Sequence, residues 1–417
     1  MSNEVQIIGG GLYGCLTAYH IAKNHPDVKV HLVEGNDHLI SAFDSITLDN
    51  QQFNNGFHGL EVPRSQEFYQ FIKDELDVSF ELRKNFRGLS IKGHLIDYLA
   101  TYEEWPEELK HLFKKQGPIE FDSASFNPSE LISEEFTSHF RTVSARYSDD
   151  FDLVKGLFFP WFLPADFYVR SEDEGDIFRN AVRSGELKAE YAHPEKDLFG
   201  VLQQAMEDLL RSLNVNIHLN TYVKFGGSKL KFFDAKTKEE KELLSKVEHV
   251  YFCGSLALIL KDLNQEKFGL LGNYRRSLYN VILESSKELN LKYSEVLAAD
   301  TDVPNLGRIS FPSTNKRLIQ MELFVKNDEE IPSIVEALPR QIERILRLDE
   351  NSLELKDFDR TRVVFFPPRE LQNSAVKEIG EYLKDNFPKL SHRSVFGPIN
   401  MSKAWRWSKE NGELLIS

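Results

Sequence analysis

Gly9, Gly11 and Gly14 form a Gly-x-Gly-x-x-Gly run between the β-prone residues Val5-Gln6-Ile7-Ile8 and a segment with helical spacing. Glycines so placed let the chain turn tightly and bring bare backbone N–H groups and a helix N-terminus against a pyrophosphate. Leu12 and Tyr13, inside the turn, are expected to share that contact. Glu34 follows twenty residues after Gly14, at the end of the next strand pattern, where a carboxylate can accept from ribose hydroxyls. The same charge repels a 2′-phosphate and disfavours NADP. Triplet, frame and acid together point to an adenine dinucleotide, with FAD and NAD both open.

The elements that must hold this turn are legible on either side of it. Leu12, Leu16, Tyr19 and Ala22 mark one apolar helix face, Pro26-Asp27 ends it, and Val28–Val33 reads as a strand, so the first 35 residues form a β-α-β unit. Further along, the spacing predicts helices over Ser65–Glu75, Asp197–Leu213, Pro332–Leu346 and Ser374–Asn386. Strands are expected at Val215–Leu219, Val247–Cys253, Ile309–Phe311, Leu318–Val325, Val363–Phe366 and Ser394–Gly397, with a hairpin over Lys224–Phe233. A last helical turn or two should close the chain. Lys236–Glu242 reads as a solvated turn and Phe158–Pro164 as a packed aromatic loop able to line a cavity.

Other residue types carry weaker signals. His58 could move protons near neutral pH, or be a turn histidine satisfied by backbone. Arg170, Arg275, Arg276 and Arg308 could clamp phosphate or carboxylate, although a lone arginine is more often a surface pair; Arg308, inside an apolar strand, is the best placed. No Cys/His cluster suits zinc, no lysine follows the glycines as in a Walker loop, and no Gly-x-Ser-x-Gly elbow occurs, so no metal site is expected. A formal charge of −14 over 417 residues argues against general nucleic-acid binding. Two cysteines, Cys15 and Cys253, fit a reducing compartment. With no signal-like N-terminus and no apolar run near the roughly 20 residues a membrane span needs, a cytoplasmic protein is expected.

Several later segments carry a family likeness. Asn220-Thr221-Tyr222-Val223 and Val250-Tyr251-Phe252-Cys253-Gly254 are similar to adenine-side and sheet-closing elements of the flavin amine oxidase superfamily. Within it, the order of segments most resembles UDP-galactopyranose mutase. Asn55-Gly56-Phe57-His58 looks like the mutase stretch beside the flavin. Phe167-Tyr168-Val169-Arg170, with Asp173 and Phe178, resembles its substrate-domain segment. Gly269-Leu270-Leu271 with Tyr274-Arg275-Arg276-Ser277-Leu278, and Pro304-Asn305-Leu306-Gly307-Arg308-Ile309, resemble two further mutase runs. The likeness implies FAD, an adenine-side contact at Val223, backbone contacts at Asn400 and Met401 where a terminal helix meets the pyrimidine end, and substrate contacts at Arg170, Arg275 and Arg308. His58 and Arg308 are its implied catalytic residues. Two departures stand out: Phe366-Pro367-Pro368 where mutases carry Tyr-Pro-Val, and Phe396-Gly397-Pro398-Ile399-Asn400 where they carry an arginine. A phenyl ring cannot donate the tyrosine's hydrogen bond.

The expected fold class is α/β, a Rossmann-like FAD-binding domain interlaced with a mixed α+β substrate domain. The first is assigned residues 1–80, 195–265 and 385–417, the second 81–194 and 266–384. The leading function is an FAD-dependent oxidoreductase of a small, anionic or sugar-derived substrate. The alternatives are a mutase-like isomerase of a nucleotide sugar using reduced flavin, a non-catalytic dinucleotide-binding protein, and an NAD-linked dehydrogenase.

Overall fold

The computed structural model describes residues 4–48, 51–54, 60–61, 65–84, 87–117, 119–122, 127–148, 162–170, 181, 190–194, 199–226, 229–241, 249–312, 315–365, 367–392 and 401–413. Two sheets dominate it. The first has five parallel strands in the order Asn216–His218, Lys29–Val33, Glu4–Ile8, His249–Phe252 and Leu390–His392. Strands covered on both faces need apolar residues pointing both ways, which is why these segments read as short continuous hydrophobic runs. Val5 and Ile7 pack toward the Leu12–Asn24 helix, while Ile8 and Phe252 pack toward Phe225 of a three-stranded antiparallel sheet on the opposite face. Chain from three distant stretches thus completes the β-α-β unit, and the fold is α/β with a Rossmann-like domain interlaced with a second body.

That second body is a seven-stranded mixed sheet in the order Leu353–Phe365, Arg275–Ser285, Leu318–Val325, Leu306–Ser310, Glu295–Ala298, Arg87–Ile91 and His94–Asp97. Val281, Ile309 and Met321 on one face meet Val335, Leu338 and Ile342 of the Ile331–Leu346 helix. On the other face Leu89, Ile91 and Leu297 pack under Phe136 and Phe140 at one end, and Ile282 and Leu318 under Phe53 at the other. Between these two apolar patches the same face carries Asn280, Gln320, Glu322, Arg308, Glu295 and Arg87.

Most expected elements fall within a few residues of their predicted bounds, with instructive exceptions. The strand expected to begin at Val363 begins at Leu353, because the charged run Asp357–Arg362 belongs to an exposed edge strand where charge discourages further pairing. The closing helical turn is a 13-residue helix, Met401–Glu413. The strand expected over Ser394–Gly397 lies outside the described residues, as does most of the Phe158–Pro164 segment, whose Phe162 and Leu163 are buried in the core. Among the described residues no helix is long and apolar enough to cross a membrane.

Candidate functional site

The three motif glycines have three different physical reasons. Gly9 has φ +103°, a conformation that disfavours any side chain, and a Cβ there would stand 2.8 Å from the Gly254 nitrogen. At Gly14 a Cβ would fall 1.8 Å from the Gly9 carbonyl oxygen, so the first helical turn lies directly on the strand end. Gly11 is unlike both: its φ of −70° suits any residue, and a Cβ there would meet nothing within 4 Å. The space above Gly11 is therefore open, at the N-terminus of a 13-residue helix whose first amides, including those of Leu12 and Tyr13, have no partner one turn earlier in the helix.

Glu34 faces this turn. Its Oε2 accepts from the Gly10 N–H at 2.6 Å and its Oε1 from the Asn36 N–H at 2.8 Å. The backbone holds it there: the Glu34 N–H donates to His218, and the Thr221 N–H donates to Glu34. Val223 lies two residues past Thr221 on the same strand, Thr221–Gly226. Its side chain packs into the core between the sheets, so any ligand contact from Val223 would come through its backbone.

Next to the turn stands Ile40, a feature sequence reasoning missed. It is a buried β-branched residue at φ +50°, outside the usual range for such side chains. Three bonds hold this segment: the Ile40 N–H donates to the Gly10 carbonyl at 2.8 Å, and the Gln203 amide donates to the Ile40 carbonyl at 3.1 Å and to Asp44 at 2.7 Å. From Asp44 the chain enters a hairpin, Ser45–Leu48 with Gln51–Asn54. Its Asn54 accepts two hydrogen bonds, one at its backbone carbonyl from the Gln320 amide of the seven-stranded sheet and one at Oδ1 from the Phe199 N–H. The glycine turn and the polar sheet face are thereby tied into one continuous structure.

The terminal helix packs along the first helix, beside the glycine turn. Trp407 meets Tyr13 with ring centroids 5.9 Å apart, and twelve residues further along the first helix the His25 ring contacts the Gly412 carbonyl at 3.0 Å. The two helices therefore run in the same sense, and both N-termini lie at the same end. Trp405 packs against His20, Phe68 and Phe71, and its indole N–H donates to Glu67 at 2.7 Å. Met401 opens this helix, half-buried against the first core; Asn400 lies outside the described residues.

The remaining expected site residues separate. His58 lies outside the described residues, as do Asp173, Phe178 and Phe366. Arg170 ends the strand Phe167–Arg170, paired with Ile119–Asp122. Arg275 turns to the surface and pairs with Asp328 at 3.5 Å, whereas its neighbour Arg276, opposite in the strand's alternation, is 1% exposed and donates to the carbonyls of Ala145, Arg146 and Arg275. Of this pair, Arg276 is the inward residue. Arg308 does lie on the polar sheet face, as its apolar strand suggested, but its guanidinium is engaged by Glu322 at 2.7 Å and Glu295 at 3.5 Å. Burial opposes its charge, yet these two carboxylates hold its pKa above the ordinary arginine range. Glu322 and Glu295 were not anticipated; the signal was the alternation in Leu318–Val325 and Glu295–Ala298, which puts a carboxylate on the face that Arg308 shares.

Cys15 and Cys253 also flank the turn. The Cys15 thiol donates to the Gly10 carbonyl at 3.2 Å, and burial pushes its pKa well above the ordinary value. Both thiols are packing groups. Among the described residues no group of three His, Cys, Asp or Glu could hold a metal ion.

Turn, acid and parallel sheet define a Rossmann-type fold, and residues 7–74 match the NAD(P)-binding Rossmann-like domain family. Over nearly its whole length the chain shares its fold with several solved structures. It is similar to reduced UDP-galactopyranose mutase with a TM-score of 0.67 at 14% identity, over 99% of this chain and 95% of that one. It is similar also to a putrescine oxidase triple mutant redesigned in its cofactor binding (0.57, 12%, 99% and 98%) and to a conjugated-linoleic-acid-producing fatty acid isomerase from P. acnes (0.57, 11%, 100% and 99%). No curated protein matches the chain by sequence.

Proposed function

We propose that this chain binds FAD along the crevice between the glycine turn, the Ile40–Asp44 segment and the terminal helix, and acts as an FAD-dependent oxidoreductase. The observation that carries this reading is the open space above Gly11, with Glu34 anchored beside it: a place shaped for a diphosphate, next to an acceptor for the adjoining ribose. In this reading the amides of Gly11, Leu12 and Tyr13 hold the diphosphate while Gly9 and Gly14 keep the turn tight. Glu34 accepts from the ribose hydroxyls with lone pairs its two backbone donors leave spare. The Val223 backbone meets the adenine. The N-terminus of the helix opened by Met401, with Asn400 before it, stabilises negative charge at the cofactor's far end. When bound, FAD supplies two-electron chemistry that no side chain here provides. The chain's own part is to seat a small substrate against the polar face of the larger sheet, which carries Arg308; Arg170 and His58 stay further candidates on their sequence alone.

Purified protein incubated with FAD and desalted tests the reading: a retained flavin spectrum supports it, and colourless protein overturns it. Anaerobic bleaching of that flavin by candidate metabolites would then identify the substrate. A second reading, an isomerase of a nucleotide sugar using reduced flavin, draws on the fuller overlay with the mutase structure than with the oxidase. It predicts UDP binding, and turnover only after the flavin is reduced.

A further inference from the structure

The polar face of the seven-stranded sheet carries four buried or half-buried charges in one connected row. The Arg87 Nε donates to Glu295 Oε1 on the neighbouring strand. The Glu295 Oε2 stands 3.5 Å from Arg308 Nη1, and Arg308 donates from Nη2 at 2.7 Å and Nε at 3.2 Å to Glu322 Oε2. Side-chain exposure along the row is 13% at Arg87, 0% at Glu295, 27% at Arg308 and 12% at Glu322, so Arg308 is its most open member. Two cations face two anions, so the row sums to zero.

We infer that this row makes the floor of the substrate site electroneutral, so that the substrate presents an uncharged polar part to it rather than a phosphate or carboxylate. The inference rests on the reading that this face is the substrate floor. An arginine available to an anion must be able to leave its protein partner. Here departure would strand Glu322, which is 9% exposed, and would unbalance Glu295, which is fully buried and holds Arg87 as well. Both edges of the Arg308 guanidinium are already turned to carboxylates, whereas a bidentate grip on phosphate needs one edge free. The groups flanking the row on the same face, Asn280 opposite Glu322 and Ser310 and Gln320 beside them, are uncharged hydrogen-bonding side chains suited to hydroxyl or carbonyl groups.

The test uses FAD-loaded protein titrated with sodium sulfate at constant ionic strength, read by the flavin difference spectrum. Wild-type protein and Arg308→Gln are expected to show no saturable response. Glu322→Gln keeps the side chain's size but removes one negative charge, and is expected to create a sulfate response with half-saturation at least about tenfold below any seen in wild type. A saturable response in wild type that Arg308→Gln abolishes would overturn the inference. A response in both proteins would overturn it as well, because an anion would then be held at the flavin site without an arginine freed from the row. If Glu322→Gln does not fold, the comparison of wild type with Arg308→Gln decides alone. Failure of the underlying reading looks different, because protein that retains no flavin reveals it before any sulfate is added.

Discussion

A single methyl group added at Gly11 or at Gly14 separates two roles that the motif merges. At Gly14 the new Cβ would fall 1.8 Å from the Gly9 oxygen, and Gly9 is itself held by its N–H bond to the Val33 carbonyl at 2.8 Å. Gly14→Ala must therefore push the first helix off the sheet, at or beyond the upper end of the roughly 1–3 kcal/mol typical of overpacking. At Gly11 the methyl enters open space and the backbone already suits alanine. The apoprotein should change by no more than about 1 kcal/mol, since Gly→Ala at a compatible backbone gains about 0.4–1 kcal/mol and alanine is a poorer N-cap than glycine by roughly 0.5–1 kcal/mol. The methyl does, however, occupy the place proposed for the diphosphate. A steric cost of about 1–3 kcal/mol there corresponds to roughly 5- to 150-fold weaker FAD binding. Urea denaturation of the apoproteins and fluorescence titration with FAD measure the two quantities separately. If Gly11→Ala bound FAD as tightly as wild type while folding normally, the space above Gly11 would not be the diphosphate seat, and the central argument would fail.

Four further outcomes are expected. Removing Glu295 as Glu295→Ala leaves Arg87 and Arg308 without their shared carboxylate and should cost about 3–5 kcal/mol in denaturation experiments. By contrast, Arg275→Ala removes a surface pair with Asp328; stability should move by less than about 1 kcal/mol and substrate KM not at all. Trp405→Ala takes away the ring that pins the terminal helix and should cost about 3 kcal/mol, with faster FAD release measured by stopped-flow dilution. Stability should also fall with acid: burial, aided by His218 and Lys29, lowers the His31 pKa from 6.5 to about 4, and burial, with Lys409 and Lys23, lowers that of His20 to about 4. The unfolded chain then takes up these protons first, so the contribution is complete above about pH 6.5 and lost progressively toward pH 4. His31→Gln should flatten that slope in pH-dependent urea titrations; an unchanged slope would exclude His31 as a source.

Legibility followed the range of the interactions involved. The glycine turn and Glu34 could be read because their requirements are local: a tight turn, a helix N-terminus and an acid one strand away all lie within the first 35 residues. The Ile40 conformation could not, since nothing in the residue type announces a left-handed backbone; it persists because Gly10 and Gln203 hold it from two other elements. Arg275 and Arg276 are adjacent and identical, and only the strand's orientation against Ala145 and Arg146 turns one inward and the other to Asp328.

Local pattern was enough to determine a dinucleotide turn, its acidic partner and the α/β character of the chain, because hydrophobic period and glycine spacing act over a few residues. Which arginine is neutralised, which helix packs beside the glycine turn and how a hairpin ties the turn to a second sheet were decided only in three dimensions. Those outcomes depend on partners such as Glu295 and Arg87, 208 residues apart in the chain, whose meeting is set by sheet order and register.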